Sequence, residues 1–177
     1  STRDSQGLEL ILTVPPVSLQ ERDVAGRPYT AIDVPGLFPA GEPGAPELPQ
    51  LTARLVVPPD VPVSLEVLEE ESEVLALAVP PLPAPRAVVG PGPEGEGPSV
   101  NYVYEERVGY GQDGLTPSAL CEISADDVVR EWRLLQVTCN PVRYRGVDNT
   151  LYVTRSARLR LAYPDATSDE PAVGVQA

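Results

Sequence analysis

Residues 128–163 read VVREWRLLQVTCNPVRYRGVDNTLYVTRSARLRLAY, and this stretch decides the fold class because it carries the clearest strand pattern of the chain. From position 151 onward, apolar and polar side chains alternate with a period of two, as they do in an antiparallel strand with one buried face. The apolar face holds Leu151, Val153, Ala157, Leu159, Leu161 and Tyr163, and the polar face holds Tyr152, Thr154, Ser156, Arg158 and Arg160. The alternation fixes the register of this strand.

A second run of strand-forming residues, 132–139, precedes it. Residues 145–149, between the two runs, contain the Gly, Asp and Asn that tight turns use. We therefore predict a hairpin of two long strands within residues 128–163. The adjacent pair Leu134 and Leu135 shifts the alternation by one residue, which indicates a β-bulge at that point.

The composition favours a single all-β domain. The 177 residues suffice for one domain with a sizeable core, and 22 Pro and 14 Gly are spread along most of the chain. Because Pro is excluded from helix interiors and central strands, we expect short strands joined by Pro-containing loops. We predict one antiparallel β-sandwich with long Pro/Gly-rich loops over residues 8–163, a loose end at 1–7, and a polar linker or tail at 164–177.

Shorter strand patterns and loops fill the rest of the chain. The acidic run at 69–73 is interpreted as a solvated reversal between two strands rather than as a site for a basic partner. Residues 19–26 are predicted to form a surface turn, and the Pro/Gly-rich segments 80–98 and 105–116 to form flexible loops. The predicted strands are residues 8–14, 27–34, 51–57, 61–68, 74–79, 101–104 and 119–123.

The charge and the missing residue types exclude several functions. The chain has 26 acidic and 13 basic residues, all of the latter Arg, and a formal net charge of −13. This charge repels phosphate backbones and anionic lipid, so neither nucleic acid nor a membrane is expected as a partner. The absence of His removes Ser-His-Asp and Cys-His catalysis from this chain. No phosphate loop, zinc spacing or nucleophile elbow occurs, so we expect no metal, cofactor or catalytic residue.

Two pairs of adjacent carboxylates are the nearest approach to acid/base chemistry. Asp126 with Asp127, and Glu105 with Glu106, would point to opposite faces of a strand, so neither pair forms a catalytic dyad. The alternating oxygen ligands of a calcium loop are also missing around Asp126 and Asp127.

Cys121 and Cys139 are the two cysteines of the chain. A bond between them would close a loop and stabilise the fold by about 3 kcal/mol on the chain-entropy estimate. We favour this disulfide and therefore an exported protein, secreted or at the cell surface, with two buried reduced thiols as the alternative. No apolar run reaches the length of a membrane span, and the missing initiator Met is compatible with removal of a signal peptide or with an excised segment.

One cation in a flexible segment is a candidate for recognition. Arg107 is isolated in a Gly-rich stretch of an acidic chain, where it could enter an acidic specificity pocket of a partner. A solvated Arg beside acidic neighbours is the simpler interpretation from the residues alone. Tyr102, Tyr104 and Tyr110 form either an aromatic contact patch or ordinary strand and loop packing.

Five short motifs follow one another along the chain. They are GAPELP at 44–49, Val57-Pro58, Tyr102-Val103-Tyr104, REWR at 130–133, and NPVRYR at 140–145 with NTLYV at 149–153. In this order they resemble the motifs of the gingipain-type propeptide family, where they correspond to a Gly-x-Pro-x-Leu-Pro turn, a Val-Pro that follows it, the strand entering the inhibitory loop, an Arg-containing strand, and the last strands. Together the motifs extend the resemblance over roughly residues 8–163.

The resemblance implies a jelly-roll-type β-sandwich that is the non-catalytic N-terminal prodomain of an exported clan CD cysteine endopeptidase. Such prodomains act as intramolecular chaperones and keep the enzyme latent by inserting a basic loop side chain into its S1 pocket. The matching loop contains Glu106, Arg107 and Val108, so Arg107 would be the inhibitory residue and the cognate catalytic domain the partner. A stand-alone extracellular β-sandwich used for adhesion or structure is the alternative.

Overall fold

The chain folds entirely into strands, turns and loops in the part that the computed structural model describes, which is residues 2–4, 7–59, 61–91 and 97–162. No helix of this part is long and apolar enough to cross a membrane. The strands are β1 (Thr2–Asp4), β2 (Gly7–Thr13), β3 (Ser18–Val24), β4 (Arg27–Asp33), β5 (Phe38–Ala40), β6 (Leu48–Val57), β7 (Ser64–Ala76), β8 (Arg86–Gly90), β9 (Ser99–Val103), β10 (Cys121–Val129), β11 (Trp132–Cys139), β12 (Val142–Arg145) and β13 (Thr150–Ala162).

Two larger sheets and two ribbons organise these strands. The first sheet runs β1-β2-β13-β12, with β7 paired to the other edge of β13, and the second runs β10-β11-β6-β5. The ribbons are β3 with β4 and β8 with β9. The pairings between named strands are all antiparallel within the described ranges.

The two larger sheets share one hydrophobic core. Leu12 of β2 and Leu151 and Leu159 of β13, from the first sheet, belong to the same buried cluster as Leu48 of β6 and Val137 of β11, from the second. Full burial of such side chains contributes about 1.5–3 kcal/mol each. The predicted all-β fold with antiparallel sheets packed face to face is confirmed, while the jelly-roll topology stays a prediction.

The strand with the period-two pattern, β13, lies at the centre of the first sheet. It pairs with β12 and β2 along one edge and with β7 along the other. The apolar face predicted for it is buried up to Leu161, and Tyr163 lies outside the described residues. The period-two pattern predicts this burial correctly. Both edges of β13 are occupied by neighbouring strands, so its apolar side chains are buried together on the one face that packs against the core.

The predicted hairpin partner of β13 is wrong. The long strand β11 lies in the second sheet, between β10 and β6, and the short strand β12 forms the hairpin with β13. The predicted bulge at Leu134 and Leu135 is also wrong, because the register shift lies in β10, between Ile123 and Ala125. Leu135 is fully buried, while Leu134 lies opposite the exposed Val56, so the two leucines simply cover opposite faces.

The acidic run at 69–73 does not form a reversal. Strand β7 passes through it without interruption, and its carboxylates pair with arginines of β12 and β13. Opposite charges on neighbouring strands stabilise a sheet, so the run can remain extended. The ion pairs are Glu69 with Arg158, Glu70 with Arg143, and Glu73 with Arg155.

Two predicted surface segments contain regular structure. Residues 19–26 belong mainly to β3, and the turn is confined to Ala25 and Gly26, both with positive φ. The Pro/Gly-rich segment 80–98 contains β8, which pairs with β9, while 92–96 and the predicted tail at 164–177 lie outside the described residues.

Candidate functional site

The segment that carries Arg107 connects β9 to β10 and is anchored at several points. The backbone N–H of Arg107 donates to the carbonyl oxygen of Gly44 at 2.8 Å. Further along, Thr116 and Tyr144 exchange two backbone hydrogen bonds of 2.8 Å, and Val147 donates to the carbonyl of Gln112 at 2.9 Å. The sequence predicts a flexible stretch here, whereas these bonds fasten it to two other parts of the fold.

The Gly-x-Pro-x-Leu-Pro turn lies directly against this segment. Gly44 has a φ of +90°, which is strained for any residue with a side chain. A Cβ at this position would lie 2.9 Å from Cγ and Cδ of Arg107. The amide of Gly44 in turn donates to the carbonyl of Ala84 at 2.9 Å. A glycine is therefore required for the turn to approach Arg107 so closely.

The side chain of Arg107 lies at the surface. Its Nη2 contacts Oε2 of Glu105 at 2.7 Å, and the two side chains are 56% and 50% exposed. The hydrogen bond from Arg107 lowers the pKa of the Glu105 carboxyl. An ion pair this exposed to water contributes little to stability, so a stronger partner can displace Glu105.

Glu106 points the other way. Its side chain is 19% exposed, and its Oε1 lies 2.8 Å from Nη2 of Arg27 at the start of β4. The guanidinium of Arg27 lies over the ring of the buried Tyr29, 5.4 Å from the ring centroid. Burial, and then the charge of Glu106, raise the pKa of Tyr29.

The three candidate contact tyrosines occupy two different environments. Tyr102 on β9 and Tyr104 just beyond it are exposed, as is Val108. Tyr110 is half-buried instead: its hydroxyl donates to the carbonyl of Pro81 at 2.9 Å, and burial raises its pKa. Its ring packs against the core residue Tyr144 with a centroid separation of 5.8 Å.

Cys121 and Cys139 form a disulfide, as the sequence favours. The two residues are directly opposite each other on β10 and β11. Cys121 is the first residue of β10, so the bond fixes the end of the segment that carries Arg107.

The paired carboxylates do not assemble into a reactive site. Asp126 accepts hydrogen bonds of 2.8 and 2.6 Å from Arg133, while Glu105 and Glu106 pair with different arginines. Within the described part of the chain, no three His, Cys, Asp or Glu side chains are arranged to hold a metal ion.

Sequence reasoning identified the Gly44 turn and Arg107 separately and missed their contact. It also missed Arg27, because an Arg beginning a strand resembles any solvated cation. The local signal was limited to the turn itself, since Gly and Pro mark a turn without indicating which segment lies against it.

The Propeptide_C25 family model matches residues 14–172 of the chain. Lys-gingipain from Porphyromonas gingivalis is 26% identical over 155 residues, which are 85% of this chain and 9% of that protein. Lys-gingipain HG66 from the same organism is 25% identical over the same length. The chain therefore spans about a tenth of the length of the curated relatives it matches.

Two solved structures have a similar fold. A structure of gingipain K from Porphyromonas gingivalis, concerned with its zymogenic latency, gives a TM-score of 0.72 at 21% identity, over 92% of this chain and 89% of that one. The complex of RgpB pro- and mature domains from the same organism gives 0.73 at 17% identity, over 99% and 88%. At these identities the likeness establishes the fold, and the family model establishes the relationship. The chain belongs to the Propeptide_C25 family and is a propeptide domain rather than a catalytic one.

Proposed function

We propose that this domain confers latency on a gingipain-like cysteine endopeptidase and assists its folding as an intramolecular chaperone. The family match across residues 14–172 is the observation that carries the proposal. Two neighbours in fold support it, one described for zymogenic latency and one as a complex of pro- and mature domains. The partner is then the cognate catalytic domain, which supplies the chemistry that this His-free chain lacks.

Arg107 is the residue that we assign to the S1 pocket of the peptidase. Its guanidinium is more than half exposed, and the ion pair that it forms within the described part of the chain is with the exposed Glu105. A guanidinium offers a planar set of donors that fits a carboxylate, and hydrogen bonds to charged groups contribute about 1.5–3 kcal/mol. The backbone bond to Gly44 supports the assignment because it holds the residue in a defined position before binding.

The exposed side chains around Arg107 would form the adjoining contact surface. Tyr102 is 63% exposed and Val108 is 51% exposed, and Tyr104 also reaches the surface. Aromatic side chains are enriched at such interfaces because they bury a large area with few rotatable bonds. The half-buried Tyr110 would support the loop from beneath rather than contact the peptidase.

We also propose that the precursor is exported, either secreted or retained at the cell surface. The disulfide between Cys121 and Cys139 supports it, because such bonds persist mainly in oxidising compartments.

The direct test titrates the purified domain against its own mature peptidase. The wild-type domain is expected to inhibit, and Arg107→Ala to weaken inhibition by about 10- to 100-fold through loss of the charged hydrogen bonds. Arg54→Ala serves as the matched control, since Arg54 is an exposed arginine on β6 and its loss should leave inhibition unchanged. Full peptidase activity at high micromolar domain would refute the inhibitory function. Equal inhibition by Arg107→Ala would refute only the assignment of Arg107.

A further inference from the structure

Consecutive residues of the segment after β9 point in opposite directions. Glu105 and Arg107 meet each other at the surface, whereas Glu106 between them turns inward. In extended backbone, residues i and i+2 share one side and residue i+1 takes the other. Glu106 and Arg107 therefore lie on opposite sides of the segment.

The inward carboxylate is held in a site with its own charge partner. Oε1 of Glu106 is sealed from solvent and lies 2.8 Å from Nη2 of Arg27; this is a charge contact rather than an aligned hydrogen bond, since the oxygen has no hydrogen-bond partner among the described residues. Tyr29 and Tyr110 are also close enough for the charge of Glu106 to raise the pKa of each, after the larger effect of burial. The Arg27 side chain is 58% exposed, so water reaches the cationic side of this pair while the carboxylate oxygen is shielded.

Arg27 is carried by a regular element rather than by a loop. It is the first residue of β4 and lies opposite Val24 of β3, directly after the turn at Ala25 and Gly26. Its guanidinium is further held over the ring of Tyr29. The ribbon of β3 and β4 thus presents a fixed cation to the segment.

We propose that Glu106 is a positioning residue, whose ion pair with Arg27 orients Arg107 outward for entry into the peptidase. This inference rests on the proposed function of Arg107. Two contacts from different parts of the fold then define the segment: Gly44 binds the backbone of Arg107, and Arg27 holds the side chain of the preceding residue. Prior ordering of a binding loop raises affinity because less conformational entropy is lost on association.

The proposal separates the two acidic neighbours of Arg107. Glu105 pairs with the guanidinium and must release it on binding, so it competes with the peptidase pocket. Glu106 is paired with Arg27 instead, and this ion pair helps to keep the Arg107 guanidinium oriented outward. Two adjacent glutamates that look equivalent in sequence therefore have opposite effects on inhibition.

The first test uses the domain alone. Amide hydrogen exchange of Arg107 is compared in the wild type, Glu106→Gln and Arg27→Gln, with Arg54→Gln as a control at an exposed position of β6. Loss of the ion pair should accelerate exchange of the Arg107 amide on the order of tenfold, while Arg54→Gln leaves it unchanged. Unchanged exchange in both Glu106→Gln and Arg27→Gln would overturn the positioning role, whatever the peptidase does.

The second test measures inhibition of the mature peptidase at a temperature where every variant remains folded. Glu106→Gln and Arg27→Gln should each weaken inhibition on the order of tenfold, with no further loss when combined. Neither change should matter in an Arg107→Ala background, because a positioning residue acts only through the residue it positions. An equal loss in that background would overturn the proposal. Accelerated amide exchange together with a wild-type domain that does not inhibit would refute the proposed function and leave the ion pair's effect on the segment intact.

Discussion

The backbone N–H of Arg107 donates a 2.8 Å hydrogen bond to the carbonyl oxygen of Gly44, at the head of the Gly-x-Pro-x-Leu-Pro turn. Two motifs that are far apart in sequence therefore form one unit. The turn contributes a glycine that allows close approach, and the segment contributes the candidate inhibitory residue. The family resemblance marks both motifs, and their contact supplies a physical reason for their occurrence together.

Gly44→Ala should weaken inhibition more than its effect on the free energy of unfolding would explain. The new Cβ would lie 2.9 Å from Cγ and Cδ of Arg107, so the arginine must move. The positive φ adds strain of about 1–2 kcal/mol. Gly36→Ala is the matched control, because its φ of +83° imposes similar strain with no atom within 4 Å of the added Cβ. Chemical denaturation and peptidase titration of both variants test this, and a Gly36→Ala loss of inhibition equal to that of Gly44→Ala would contradict it.

Glu105→Gln should tighten inhibition by about two- to fivefold. The Arg107 guanidinium must leave Glu105 to enter a pocket, and this exposed ion pair stabilises only the free domain. Glu122→Gln, at an exposed position of β10, makes the same change in net charge and should not affect inhibition. Inhibition constants at low and moderate salt measure the effect, which should shrink as salt rises. Weaker inhibition by Glu105→Gln would show that Glu105 assists binding.

Glu70→Ala should destabilise the domain far more than Glu69→Ala. Glu70 accepts hydrogen bonds from Arg143, which is only 8% exposed, and from the buried Thr154. Its removal leaves a buried guanidinium without its carboxylate, at a cost of about 3 kcal/mol. Glu69 pairs with Arg158 at the surface, where loss of a pair costs less than about 1 kcal/mol. Urea denaturation at neutral pH compares the two variants, and equal losses would contradict this ranking.

Alkaline pH should destabilise the domain through its buried tyrosines. Burial raises the pKa of Tyr29, Tyr110 and Tyr144 above the value of the unfolded chain. The unfolded chain therefore loses these protons first, so stability is complete below about pH 10 and falls as pH rises further. Urea denaturation over a series of pH values should show a shallower decline in Tyr110→Phe than in the wild type. Equal slopes would mean that Tyr110 ionises alike in both states.

Part of the fold is encoded locally and could be predicted. The period-two pattern of residues 151–161 identifies a half-buried strand wherever its neighbours lie, and the scattered prolines exclude helices. The family motifs are also local, so they led to the propeptide family before any contact was known. Dependence on local sequence also explains why the predicted pairing of β11 with β13 is wrong. The strand-forming residues of β11 would suit either sheet, and nothing in them indicates which sheet the strand joins.

The candidate site also combines features that the sequence predicts with features that only tertiary packing determines. The sequence by itself determined that Arg107 is an isolated cation near a strand end, that Cys121 and Cys139 are available to pair, and that the chain is all β. Only the tertiary structure decided that Glu106 turns inward to Arg27 and that the acidic run at 69–73 stays extended against arginines of β12 and β13. A charged side chain has the same local pattern whether it is solvated or paired. Its partner is chosen by the packing of distant segments, and no spacing along the chain records that choice.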